Sequence, residues 1–121
     1  MKYMLMIYHD EPAWNEHSEA ERQQIYGEYR ALIQRLQSSG KYLVGDQLQP
    51  ADTASVVRVR DGKQLVTDGP FAETREQIGG FFMIEVNNLD EAVSIAGQIP
   101  SAREGSIEVR PVVAAVSADG A

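Results

Sequence analysis

Residues 68–76 read Asp-Gly-Pro-Phe-Ala-Glu-Thr-Arg-Glu, which puts a carboxylate, an aromatic ring, a hydroxyl and a guanidinium on one short stretch. An aspartate in a turn ordinarily accepts a hydrogen bond from the backbone N–H two residues on. Here that residue is Pro70, which has no N–H. Gly69, preceding the proline, is pushed toward extended geometry. Asp68 is therefore expected to turn to another donor: the N–H of Phe71, the Thr74 hydroxyl, the Arg75 guanidinium or a bound molecule. If Phe71 buries the turn, a carboxylate left unpaired there costs several kcal/mol. Two readings follow. In one, Asp68 and Thr74 or Arg75 lock the loop together. In the other, Asp68 is an acceptor or acid/base group and Arg75 an anion clamp, with Gly69, Phe71 and Thr74 completing a pocket for a small polar or anionic metabolite. Glu73 and Glu76 are expected on the loop surface.

A second chemical group is His9, one of two histidines in the chain. It can serve as a general base oriented by Asp10 or Asp46, or it can be a surface residue. His17 is expected as a solvated residue just ahead of a helix. Trp14 and Tyr42 either pack under the loop or wall a pocket. Adjacent residues such as His9, Asp10 and Glu11 rarely converge on one ion, and no zinc spacing, glycine-rich phosphate loop or nucleophile elbow is present. Cysteine is absent, which removes disulfides and thiolate-bound metals. Neither a metal nor a cofactor is expected.

The elements that must position these groups are legible from periodicity. Residues 3–8 and 80–86 are continuous apolar runs of strand length. Ser18-Glu-Ala-Glu21 is a capping box, and a helix after it carries Ile25, Tyr29, Leu32, Ile33 and Leu36 on one stripe, ending at Gly40. A strand follows from Tyr42 to about Leu48. Residues 55–60 and 64–67 flank Asp61-Gly62, a hairpin turn signal. A second helix runs from Leu89 to about Gly97, capped by Asn88, and Ile107–Pro111 forms a last edge strand.

The order predicts an α+β fold: a ferredoxin-like βαββαβ arrangement with an inserted hairpin. Residues 1–112 form a single domain, and the tail from 113 to 121 is expected to fray. Two helices cover one face of a sheet. The apolar runs need cover on the other, which predicts a homodimer packed sheet on sheet. Parallel placement of residues 3–8 and 43–48 should bring His9-Asp10, Gly45-Asp46 and the segment 68–79 to one edge.

The net charge is −7, from 18 acidic against 11 scattered basic residues. That argues against nucleic acid as a partner. No stretch approaches the ~20 apolar residues of a membrane span, and the N-terminal run is too short for a signal peptide. A cytoplasmic location is expected.

The segments M-K-Y-M-L-M-I-Y, G-D-Q-L at 45–48, V-R-D-G-K at 59–63, L-V-T-D-G-P-F-A-E-T-R-E at 65–76, G-G-F-F-M-I-E-V at 79–86 and I-E-V-R-P-V at 107–112 resemble the YCII-related family. They are similar in particular to its branch named for the D-G-P-F tetrapeptide, here Asp68, Gly69, Pro70 and Phe71. The resemblance implies a dimeric ferredoxin-like α/β barrel. In the wider family a histidine on or near the first long helix pairs with an aspartate as a proposed acid/base centre. Residues 19–39 hold no histidine and present Tyr26 and Tyr29 instead. Whether the chain is an enzyme therefore stays open. Genes of the branch are often neighbours of extracytoplasmic-function sigma factors, so the resemblance also implies an alternative, a regulatory or stress-response module with a sigma factor as partner.

Overall fold

The computed structural model describes residues 1–114. Its elements are β1 (Lys2–His9), α1 (Glu11–Asn15), α2 (Glu19–Ser38), β2 (Tyr42–Gln47), β3 (Ser55–Arg60), β4 (Lys63–Asp68), β5 (Gln77–Glu85), α3 (Leu89–Ala96) and β6 (Ser106–Pro111). Short 3₁₀ turns sit at Ala51–Thr53 and Pro100–Arg103. Most of the tail expected to fray lies outside the described residues.

Local sequence explains the helix boundaries. Ser18 Oγ accepts from the Glu21 N–H at 3.1 Å, and the Glu21 carboxylate accepts from the Ser18 N–H at 2.9 Å, closing the expected capping box of α2. At the other end Gly40 has φ +73°. Its N–H bonds the Gln37 carbonyl while that of Lys41 reaches back to Leu36, so the last carbonyls of the helix are satisfied. α1 was not expected, because Pro12 reads as a strand breaker. Proline in the first turn of a helix sacrifices no hydrogen bond, and Asp10 caps that turn by accepting from the Ala13 N–H at 3.1 Å.

Four strands form one sheet in the order β2-β5-β1-β6, whose buried residues lie on its two central strands. β5 runs antiparallel to both β1 and β2, so β1 and β2 are parallel to each other, with α2 as the crossover. This α+β arrangement is compatible with the ferredoxin-like layout. β3 and β4 form a separate two-stranded sheet. Its two-residue turn has Asp61 at φ 52° and Gly62 at φ 72°, the backbone a tight hairpin requires.

Strand alternation divides the main sheet into two faces. Tyr3, Leu5 and Ile7 of β1 and Phe82 and Ile84 of β5 join Leu32 and Leu36 of α2 and Ala92, Ile95 and Ala96 of α3 in one core. Met4, Met6, Phe81 and Met83 occupy the opposite face and are half-buried, and among the described residues no helix lies over them. No helix among the described residues is long and apolar enough to cross a membrane.

Candidate functional site

The ends of β1, β2 and β5 meet at one corner of the helix-covered face, and glycine shapes that corner. β1 and β5 slip register between Ile7 and Tyr8: Ile7 pairs with Gly80 and Tyr8 with Ile78, so Gly79 bulges out of the ladder. The His9 imidazole lies on Gly79. A Cβ at that position would stand 2.6 Å from His9 Nε2. Tyr42 likewise lies over Gly45, whose Cβ would meet the Tyr42 hydroxyl at 2.5 Å, and Gly80 abuts the Asp46 carbonyl oxygen. The glycine pair thus combines a bulge at Gly79 with a close backbone approach at Gly80.

Above this floor α2 and α1 raise the walls of a cleft of about 260 Å³. Tyr26, Tyr29, Arg30 and Ile33 line it at positions i, i+3, i+4 and i+7 of α2, which share one helix face. Trp14 closes one side from α1, its ring 5.7 Å from that of Tyr26 and 6.2 Å from His9. Phe82 sits edge-on to both Tyr42, at 5.5 Å, and Tyr29, at 6.2 Å.

The Tyr29 hydroxyl pairs with that of Ser101 at 2.6 Å, and the Gln47 amide donates to the Tyr26 hydroxyl at 3.4 Å. Burial pushes the Tyr29 phenol above its ordinary range, and does the same for Tyr42, with the Asp46 charge adding to it. Both hydroxyls therefore remain donors. Arg30 makes no ion pair among the described residues.

Of the residues singled out in the sequence, His9 and Asp46 line the cleft, and so do Trp14 and Tyr42 as pocket walls. Asp68, Gly69, Phe71, Thr74 and Arg75 do not line it. Phe71 is 80 % exposed, with the Arg58 guanidinium 5.8 Å from its ring centre, so it does not bury the turn. Asp68 is exposed at the end of β4, where water can solvate it, and the obligation to find a partner disappears.

None of the expected donors turns to Asp68. The Thr74 hydroxyl donates to the Glu76 carbonyl, and Arg75 reaches Asp10 at 3.1 Å. That pairing changes the role of Asp10. The Ala13 N–H, and next the Arg75 guanidinium, hold its carboxyl below the usual range. It anchors α1, and with it Trp14, to the segment before β5. Glu11 turns elsewhere again and accepts from the Ala51 N–H at 2.8 Å. The three neighbours His9, Asp10 and Glu11 thus take three directions. Among the described residues no cluster of three histidine or carboxylate side chains is placed to hold a metal ion.

His17 is not solvated as expected. Its side chain is 17 % exposed, with Nε2 2.9 Å from Glu104 and Nδ1 3.4 Å from Glu21, and its ring stands edge-on to Trp14 at 5.6 Å. The hydrogen bond to Glu104, then that to Glu21, raises its pKa above the ordinary 6.5. A pKa higher in the folded than in the unfolded chain gives stability that is whole below pH 6.5 and is lost as pH rises through the folded value. The carboxylates held below their usual range stay ionised in that window. Wild-type stability should therefore fall from pH 6 to pH 8, and His17→Gln should flatten that slope in urea titrations; parallel slopes would show that the pairs carry no linkage.

The sequence did not point to Arg30 or to Tyr26 as a wall. Their spacing along α2 was visible, but Tyr26 and Arg30 border the apolar stripe rather than fall within it.

Fold and site together define a small α+β protein with an aromatic cleft between its long helix and the open corner of its sheet. The chain belongs to the YCII-related domain family, whose pattern matches residues 1–115. It is 35 % identical over 114 residues to an uncharacterised protein of Rhizobium meliloti (strain 1021), a match spanning 93 % of this chain and 92 % of that one.

Proposed function

We propose that this YCII-related protein binds a small polar molecule in the cleft between α2 and the sheet, and transforms it with His9 as the proton-transfer group. The observation that carries this reading is the seating of the His9 ring on the bulged Gly79. It brings an imidazole to the wall of an aromatic cleft together with Arg30 and two protonated tyrosine hydroxyls. Imidazole exchanges protons near neutral pH, and a general acid or base must lie within hydrogen-bond reach of its target. In this reading Asp46 shapes the cleft wall. The segment holding Asp68, Gly69, Phe71, Thr74 and Arg75 supports it from outside, through the Arg75–Asp10 pair.

The finer architecture belongs to the same proposal. A second copy covers the bare face carrying Met4, Met6, Phe81 and Met83, giving a dimeric ferredoxin-like barrel. Half-buried apolar residues on an open face support it, and a monomer in equilibrium sedimentation at micromolar concentration would remove it.

Trp14 is the sole tryptophan and lines the cleft, so its emission reports occupancy. A screen of small metabolites by thermal shift should find compounds that raise the melting temperature by mass action and also change Trp14 emission. His9→Asn should abolish any turnover of those compounds while leaving binding measurable. Compounds that stabilise the protein with Trp14 unperturbed would place the site elsewhere and end this reading.

A further inference from the structure

We infer that the cleft takes a planar, single-ring aromatic carboxylate, with its ring among the aromatic walls and its carboxylate at Arg30. The inference rests on the cleft being the binding site, as proposed above, and adds the chemical class of what it holds. Size sets the first limit. A cleft of about 260 Å³ falls below the ~300–1,000 Å³ that accommodates drug-sized ligands, which leaves room for one ring and its substituents but not for a nucleotide or coenzyme.

Wall chemistry sets the second limit. Trp14, Tyr26, Tyr29, Tyr42 and Phe82 line the cleft, with the pairs Trp14–Tyr26, Tyr29–Phe82 and Tyr42–Phe82 edge-on. Such walls favour another flat ring, held by offset or edge-to-face contact, over a puckered aliphatic one.

Charge sets the third. In a chain of net charge −7, Arg30 lines the cleft with no ion-pair partner among the described residues, and His9 stands on the same lining. The acid of the lining is Asp46. The strand register pairs it with Phe81, whose neighbour Phe82 lies in the helix-side core, so alternation assigns the Asp46 side chain to the opposite face of the sheet. Among the described residues, the helix side of the cleft is left with a permanent cation and no lining carboxylate on its own face, the Asp46 charge reaching it only at Tyr42. An aromatic cage for an ammonium group would need the reverse. A planar guanidinium suits a carboxylate, which it can grip with two parallel hydrogen bonds.

The experiment titrates the full chain by Trp14 fluorescence with benzoate, 4-hydroxybenzoate, benzamide, cyclohexanecarboxylate and benzyltrimethylammonium. Benzoate or its hydroxy derivative is expected to bind at least about tenfold more tightly than the neutral, aliphatic and cationic probes, one charge-assisted hydrogen bond being worth that much. Arg30→Gln should weaken benzoate binding by about tenfold and leave benzamide unaffected. Arg30 is exposed, so that variant should fold. Equal or tighter binding of the ammonium or the cyclohexane acid would overturn the ligand class, as would unchanged benzoate affinity in Arg30→Gln. In either case the cleft remains the binding site. Silence of Trp14 to all five probes overturns the class too. If the wider metabolite screen is also silent at Trp14, the site reading goes with it.

Discussion

Leu32→Ala should lower the stability of the domain by about 3 kcal/mol, the middle of the range for emptying a leucine site in a packed core. Leu32 is fully buried, and with Leu36 it makes up the buried residues of α2. The helix is otherwise amphipathic at best: it is rich in charged and amide side chains, and Tyr29 and Ile33 are only partly buried against the core. A loss of that size removes a large share of the ~5–15 kcal/mol a domain has in total. It should lower the melting temperature by roughly 10 °C. The effect should reach the site as well, because the same helix carries Tyr26, Tyr29 and Arg30 to the cleft. Urea unfolding is the measurement, with the midpoint moving and the slope unchanged. A loss below about 1 kcal/mol would mean that α2 is not packed on the sheet through Leu32.

Gly79→Ala should act in the opposite proportion, with a small effect on stability and a large one on the site. Gly79 has a backbone conformation open to other residues, and the three atoms nearest the added methyl all belong to the His9 ring, Nε2 at 2.6 Å and Cδ2 at 2.9 Å being the closest. Atoms do not approach so closely, and the imidazole is the group free to swing away. Overpacking relieved by one side chain should cost about 1 kcal/mol. Displacing His9 from the cleft should reduce affinity for a cleft ligand by at least about tenfold, or 1.4 kcal/mol, and turnover by more. A cycle with His9→Ala isolates the cause, since the two losses should fail to add if both act through the ring. Unaltered His9 ring resonances in the Gly79→Ala protein, with full affinity, would show that the ring does not depend on that glycine.

Much of the framework was legible because its causes are local. Ser18 and Glu21 satisfy each other across three residues, Gly40 supplies the left-handed end of α2, and Asp61-Gly62 closes a two-residue turn. Apolar runs of strand length, the hairpin turn signal and helical period located the strands and both longer helices to within a few residues. α1 was missed although its signals are equally local: an aspartate cap and a proline in the first turn, which a breaker reading of Pro12 concealed.

Asp68 shows the other side of the matter. Pro70 does deny Asp68 its local N–H, but Phe71 is exposed rather than buried, so no partner for the carboxylate is needed. Burial is a property of what packs over a residue from elsewhere in the chain. Among the described residues nothing packs closely over Phe71, and Arg75 found its carboxylate 65 positions away in Asp10.

The sequence by itself determined the two longer helices, the strands, their order and the parallel relation of β1 and β2, because hydrogen-bonding, capping and periodicity act between near neighbours or follow from chain connectivity. Tertiary structure alone decided that the hairpin stands as its own sheet and that His9 rests on Gly79. It also decided that Tyr26 and Arg30 wall a cleft with Trp14 and Tyr42. Those contacts join residues distant in sequence, and their formation depends on the register of strands and the roll of a helix, which no local rule specifies.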